Sequence, residues 1–234
     1  MRIFTIPVSG LLGTCNCYLV QDKGGSILID GGAPGNPKQF YNGLRAAGVA
    51  PAAVRAIVLT HGHLDHIGIL ASIHAHLPNA LVIAHQHDAP WIEGGNPPYP
   101  AGVTPYGKFM TWSANRLARM TVPGTPVNMK INREISLKAI AGIDARIILM
   151  PGHTAGSIAV LTSEGDAFVG DSAMNAWYLR LSPGLPILAD DFPAVLTSWR
   201  NLLRLKVRTI YPAHGKPFSP SVIDEQLRQH RVAG

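Results

Sequence analysis

Short apolar runs, each ending in a turn of small residues, set the rhythm of this chain. Arg2 to Val8 and Cys15 to Gln21 read as two strands joined by a glycine-containing turn, and Ser26 to Asp30 as a third. Pro37 to Ala47 spaces its apolar positions as a helix, closed by Gly48. Val54 to Thr60 is apolar and β-branched, the pattern of a buried strand, and a helix follows from His66 to about His76. Leu81 to Ala84 reads as a short strand. The rhythm then breaks over residues 88–130. Gly94-Gly95-Asn96-Pro97-Pro98-Tyr99-Pro100 excludes a regular element, and Thr104 to Met120 reads as a helix. From Glu134 the first pattern returns. Strands are expected at Glu134 to Lys138, Arg146 to Met150, Ser157 to Leu161, Ala167 to Val169 and Thr209 to Tyr211, with helices at Pro193 to Leu205 and Ser219 to His230. The two halves echo each other with no linker between them. One domain over 1–234 is therefore expected, carrying a lid-like insertion around 88–130.

Composition narrows the class. The 234 residues can bury a substantial core, and 47 % hydrophobic against 15 % charged content excludes a disordered chain. The formal charge of +6 suits an anionic substrate but is too small and too scattered to argue for nucleic acid. Cys15 and Cys17 lie two apart on a strand, so they point the same way and read as reduced packing thiols. The apolar N-terminal stretch is interrupted by Pro7, Gly10, Gly13 and Asn16 and lacks a small-residue cleavage site, unlike a secretory signal. No apolar run is long enough to span a bilayer. A cytoplasmic protein with a small-molecule substrate is expected, without membrane or nucleic-acid partners and with a homodimer as the default assembly.

The candidate chemistry is concentrated. Thr60-His61-Gly62-His63-Leu64-Asp65-His66 places three histidines and a carboxylate on a strand-to-helix turn, where Gly62 lets side chains converge that a helix would splay apart. Imidazole and carboxylate are ligands for zinc and its neighbours. Three later apolar runs end in turns that each carry one such ligand: Pro151-Gly152-His153, Gly170-Asp171-Ser172 and Pro212-Ala213-His214-Gly215. His74, His76, His85 and His87 fall outside this grammar and read as structural or surface histidines. In the 88–130 segment the aromatics Trp91, Tyr99, Tyr106, Phe109 and Trp112 either line a substrate pocket or pack the insertion onto the body. Arg116 or Arg119 is a candidate for receiving an anionic substrate group.

His-x-His-x-Asp-His, a Gly-His, a Gly-Asp and a late His-Gly, preceded by Leu28-Ile29-Asp30-Gly31-Gly32, together resemble the metallo-β-lactamase-fold superfamily of hydrolases over nearly the whole chain. The resemblance implies an α+β fold, a four-layer αββα sandwich. It also implies two divalent metal ions, zinc foremost with iron or manganese as alternatives. His61, His63 and His153 would hold one metal, Asp65, His66 and His214 the other, and Asp171 would bridge them. A hydroxide shared by two metals would be the nucleophile, and Asp65 would relay a proton to the leaving group. Asp30 would support the ligand loop through hydrogen bonds. Within the family, Asp171 and Met174 stand where the best-known β-lactamases carry Cys and Lys. Only 20 residues follow His214, so the glutathione-binding domain of glyoxalase II enzymes is not expected. Lactonases place a Tyr where Met174 stands, Tyr178 being the nearest here. The resulting expectation is a hydrolase of a small ester-like substrate (lactone, thioester or carboxyl ester). A phosphodiesterase and an iron-dependent redox enzyme on the same scaffold are the alternatives. Tyr106, Trp112, Arg116 and Tyr178 are the candidate substrate contacts.

Overall fold

A computed structural model describes residues 1–114, 116, 120–176 and 184–232. The first sheet has six strands in sequential order: β1 (Arg2–Gly10), β2 (Gly13–Asp22), β3 (Gly25–Ile29), β4 (Val54–Val58), β5 (Leu81–His85) and β6 (Met129–Ile131). β1 to β3 form an antiparallel meander, and β3 to β6 run parallel. The second sheet runs β11-β10-β9-β8-β7, with β7 (Ile135–Ser136), β8 (Ala145–Leu149), β9 (Ile158–Thr162), β10 (Asp166–Gly170) and β11 (Thr209–Pro212). β9 is antiparallel to both its neighbours and β10 is parallel to β11, so β8, β10 and β11 end at the same edge.

Side-chain alternation along the strands builds the layers. Cys17, Leu19, Leu28, Ile57 and Leu59 point out to α1 (Lys38–Ala46) and α3 (Leu70–His76), meeting Phe40, Leu44, Leu70 and Ile73. Their neighbours Tyr18, Val20, Ile27, Ile29, Ala56 and Val58 point inward, against Ile147, Ile158, Val160 and Phe168 of the second sheet. Ile148, Ala159, Leu161, Ala167 and Val169 then face α7 (Phe192–Arg204) and α8 (Ser221–Val232) through Val195, Trp199, Leu202, Ile223 and Leu227. Helix, sheet, sheet, helix is the expected αββα sandwich. Among the described residues no helix is long and apolar enough to cross a membrane.

Three expectations needed revision. The helix expected from His66 to His76 is split into α2 (Leu64–Ile67) and α3. The cause is the Gly31-Gly32 turn, which takes over the intervening amides: Gly68 N–H donates to Gly32 O at 2.8 Å and Ile69 N–H to Gly31 O at 3.3 Å. A Cβ on Gly68 would lie 2.0 Å from Pro34 N, so only glycine permits this approach. The strand expected over Glu134 to Lys138 is only β7, because Leu137 turns the chain into the short helix α6 (Lys138–Ala141). In the 88–130 segment, α4 (Ala89–Gly94) precedes the proline-rich loop, and α5 is described over Pro105–Ala114, with Arg116 in a turn. Asn115, Leu117, Ala118 and Arg119 lie outside the described residues. β6 had no expectation; three residues are too few for a period to register.

Candidate metal centre

Every candidate ligand sits just past the end of β4, β8, β10 or β11, at one edge of the sandwich. Two cross-sheet hydrogen bonds close that edge, Ile158 N–H to Thr60 O at 2.8 Å and Asn16 N–H to Ala213 O at 2.9 Å. α7 anchors two of the ligand loops. Its Ser198 hydroxyl donates to Pro151 O at 2.8 Å, and the Trp199 indole donates to Ser172 O at 2.7 Å.

The buried imidazoles of His61, His63 and His153 converge. His153 Nε2 lies 3.0 Å from His63 Nδ1 and 3.2 Å from His61 Nε2. His153 Nδ1 faces Leu188 O at 2.8 Å, which fixes its proton there and turns the Nε2 lone pair inward. Beside them Asp65, His66, Asp171 and His214 form a second group. His214 Nδ1 donates to Thr14 O at 2.8 Å, and its Nε2 faces Asp65 Oδ2 at 3.1 Å. Asp171 reaches both groups: Oδ1 is 3.3 Å from His66 Nε2 and 3.4 Å from His214 Nε2, while Oδ2 is 3.8 Å from His153 Nε2. Gly170, at φ +55, delivers Asp171; a Cβ there would strike the Thr60 hydroxyl at 2.3 Å.

Asp30 sits behind His66. Its carboxylate accepts from Thr60 N–H at 2.8 Å, from the Thr60 hydroxyl at 2.9 Å and from His66 Nδ1 at 3.0 Å. These bonds hold Asp30 at φ 64, a left-handed conformation that is uphill for a non-glycine residue. Cys15 Sγ, buried and free, also faces His66 Nδ1 at 3.9 Å, a contact beyond its expected packing role.

Electrostatics split the seven groups. Burial, reinforced by neighbouring imidazolium charge, holds His61 well below the ordinary imidazole value and pushes His63 down to about 3. Burial disfavours charge on His66 and His214 too, but there it is outweighed. Asp171 and Asp65 hold His214 well above its usual range; Cys15, Asp30, Asp171 and Asp65 do the same for His66. Burial would raise Asp65, yet His66 and His214 bring it down to about 2, and the same imidazoles hold Asp171 well below the carboxylate range. His61 and His63 therefore present neutral nitrogen lone pairs, and the second group balances carboxylates against protons that a cation would replace. His63 Nε2 is buried without a hydrogen-bond partner among the described residues, and His66 Nε2 and Asp171 Oδ1 are buried with only ion-pair contacts inside the cluster. Buried, converging and unsatisfied N and O donors of these types fit two divalent cations.

Asp88, buried at the start of α4, went unnoticed in the sequence. Its Oδ2 accepts from Gly62 N–H at 3.0 Å and from the Thr154 hydroxyl at 2.8 Å, tying the His61–His63 turn to the loop of His153. Oδ1 makes no hydrogen bond of normal geometry, though the Gly156 amide is near enough to favour the carboxylate. On net, burial raises the Asp88 pKa. A helix-start Asp ordinarily reads as a cap, so nothing in the pattern marked it.

A cleft of about 300 Å³ opens onto the centre and includes His63, Asp65, His153 and Asp171 in its lining. Larger grooves of about 670 and 510 Å³ lie elsewhere on the second sheet, away from both ligand groups. Tyr99 lines the cleft, and Trp91 stacks on His63 with ring centroids 6.2 Å apart. Tyr106 and Trp112 are exposed and absent from the lining; the Arg116 guanidinium lies over the Trp112 ring at 3.8 Å, also outside it. The expected substrate contacts at Tyr106, Trp112 and Arg116 are thus not brought to the centre. Tyr178 and Arg119 lie outside the described residues.

A four-layer αββα sandwich with two clustered His/Asp groups at one edge defines a metallo-hydrolase scaffold. The family model of the metallo-beta-lactamase superfamily matches residues 10–214, and the chain belongs to that superfamily, whose members are mostly metal-dependent hydrolases. The uncharacterized protein YobT of Bacillus subtilis is 28 % identical over 190 residues, covering 78 % of this chain and 71 % of that protein. The thioesterase pkgB of Emericella nidulans is 27 % identical over 210 residues, covering 89 % of this chain but only 48 % of that protein, about half its length. Among solved structures, TTHA1623 in a di-iron-bound form is 28 % identical with a TM-score of 0.63, covering 92 % of this chain and 95 % of that one.

Proposed function

We propose that the protein hydrolyses a small ester-like substrate (lactone, thioester or carboxyl ester) at a pair of divalent metal ions, zinc foremost. The observation that carries this reading is Asp171, one carboxylate shared between two complete ligand groups. His61, His63 and His153 would hold one ion, Asp65, His66 and His214 the other. Bound there, the ions would polarise the substrate carbonyl and lower the pKa of bound water to about 7, supplying a nucleophile without a side-chain base. Asp65 is the ligand most open to the cleft, its side chain 22 % exposed. Its depressed pKa keeps it a carboxylate, placed to carry the proton left on the added hydroxyl to the departing oxygen or sulfur. Asp30 and Leu188 O fix the tautomers that aim His66 and His153 inward. The thioesterase relative supports an acyl substrate, and the di-iron neighbour keeps iron open as the native metal.

The test is a hydrolysis panel on metal-loaded protein, setting lactones, thioesters and simple esters against a phosphodiester. Turnover of an acyl substrate that disappears in His63→Ala supports the reading. Turnover of the phosphodiester alone, or full turnover in His63→Ala, overturns it.

A further inference from the structure

Resting on this reading of the centre, we infer that the substrate presents an uncharged, apolar chain of modest length to the cleft. The metal-ligand floor is polar, but the wall above it is largely apolar, Thr111 aside. Leu11 and Leu12 come from the β1–β2 turn, Tyr99 from the proline-rich loop, Met110 from α5, and Leu188 from the loop before α7. No Lys or Arg stands among the described lining residues. A substrate carrying a carboxylate or phosphate remote from the reacting carbonyl would have to strip that charge of water with no basic side chain among the described lining residues to pair it.

The β1–β2 turn carries an independent signal. A two-residue hairpin turn ordinarily takes Gly, Asn or Asp for backbone reasons. Here Gly10 and Gly13, the latter at φ +101, flank the pair, and the two central positions are leucines. Leu11 is 84 % exposed and Leu12 40 %, so neither contributes to the core. The turn gains nothing from their side chains; their common feature is that both border the cleft. The cleft volume of about 300 Å³ lies at the small end of the ligand-pocket range of roughly 300–1,000 Å³.

The chain-length dependence of hydrolysis tests this. Aryl esters from acetyl to octanoyl are compared with esters of equal length that end in a carboxylate. Each added methylene should raise kcat/KM by about fourfold until the cleft is filled, the factor for burying one CH₂. The terminal carboxylate should lower kcat/KM by more than about tenfold. Leu12→Arg, at an exposed turn where folding is not at stake, and Met110→Lys should both flatten the slope and narrow the ratio of neutral to anionic ester. Binding of neutral alkyl methyl ketones, which are not hydrolysed, gives a second readout, with Kd tightening as the chain lengthens. A flat series with an equal or better anionic ester overturns this inference and leaves ester hydrolysis standing. Ketone binding that tightens with length while no ester turns over supports the apolar cleft and overturns the hydrolase reading. Neither turnover nor length-dependent binding overturns both.

Discussion

Asp88 makes no contact with a candidate ligand, yet Asp88→Ala is predicted to weaken metal binding. The carboxylate joins two loops: Gly62 lies between His61 and His63, and Thr154 follows His153. In Asp88→Ala the buried Gly62 amide loses its 3.0 Å acceptor, which costs about 1–3 kcal/mol for an unsatisfied buried donor. The Thr154 hydroxyl loses less, because Ser157 Oγ remains 2.9 Å away. Part of the loss is offset, since burial raises the Asp88 pKa and ionising it in place is itself costly. A net destabilisation of about 1–3 kcal/mol is expected. The larger effect falls on pre-organisation: metal affinity at His61, His63 and His153 should drop about 10- to 100-fold, the usual cost of removing a group that orients ligands. Asp88→Asn keeps an acceptor oxygen for Gly62 and Thr154 and should lose less. The assay is competition with a chromophoric chelator, run beside thermal unfolding of the metal-free protein. If Asp88→Ala keeps its metal affinity within about twofold while losing stability, the residue is structural only and the coupling of the loops is wrong.

Asp171→Asn should leave the three-histidine group able to bind one ion while the second binds more weakly; two equally tight ions by mass spectrometry would contradict a shared carboxylate. Gly68→Ala should destabilise by about 3 kcal/mol or more, because the new Cβ meets Pro34 N at 2.0 Å, and chemical denaturation measures it. In the metal-free protein the depressed His61 and His63 contribute stability that is present above the unfolded value of 6.5 and lost as pH falls towards the His63 value of about 3. The raised His66 and His214 contribute stability that is present below 6.5 and lost as pH rises through their folded values. Denaturation from about pH 4 to about pH 9 should therefore show a maximum near neutrality. Because an incoming cation must displace the protons on His66 and His214, affinity at that group should climb more steeply with pH than at the three-histidine group; parallel slopes would refute the split.

The sandwich was legible because each central strand is buried on both faces, so Leu28, Ile57 and Val160 sit in apolar runs that stand out from the polar turns. The clustering of the candidate ligands was legible because each follows such a run at a glycine-containing turn. What escaped detection depends on contacts distant in sequence. The break at Gly68 is imposed by the Gly31-Gly32 backbone, and Asp88 acts on Gly62 and Thr154 across 26 and 66 positions. The cleft walls were legible only in part, through Tyr99, for a related reason. Aromatic and basic residues of the insertion looked like substrate contacts, but α5 turns Tyr106 and Trp112 outward, and the wall is built from Met110 and the leucines of a distant hairpin.

Zinc back-titration of metal-free protein, with bound metal and ester hydrolysis followed together, bears most directly on the paired centre. Activity should stay low through the first equivalent and rise as the second binds, with a chelator reversing both. Full activity at one equivalent, or in the metal-free protein, would contradict a two-metal hydrolase.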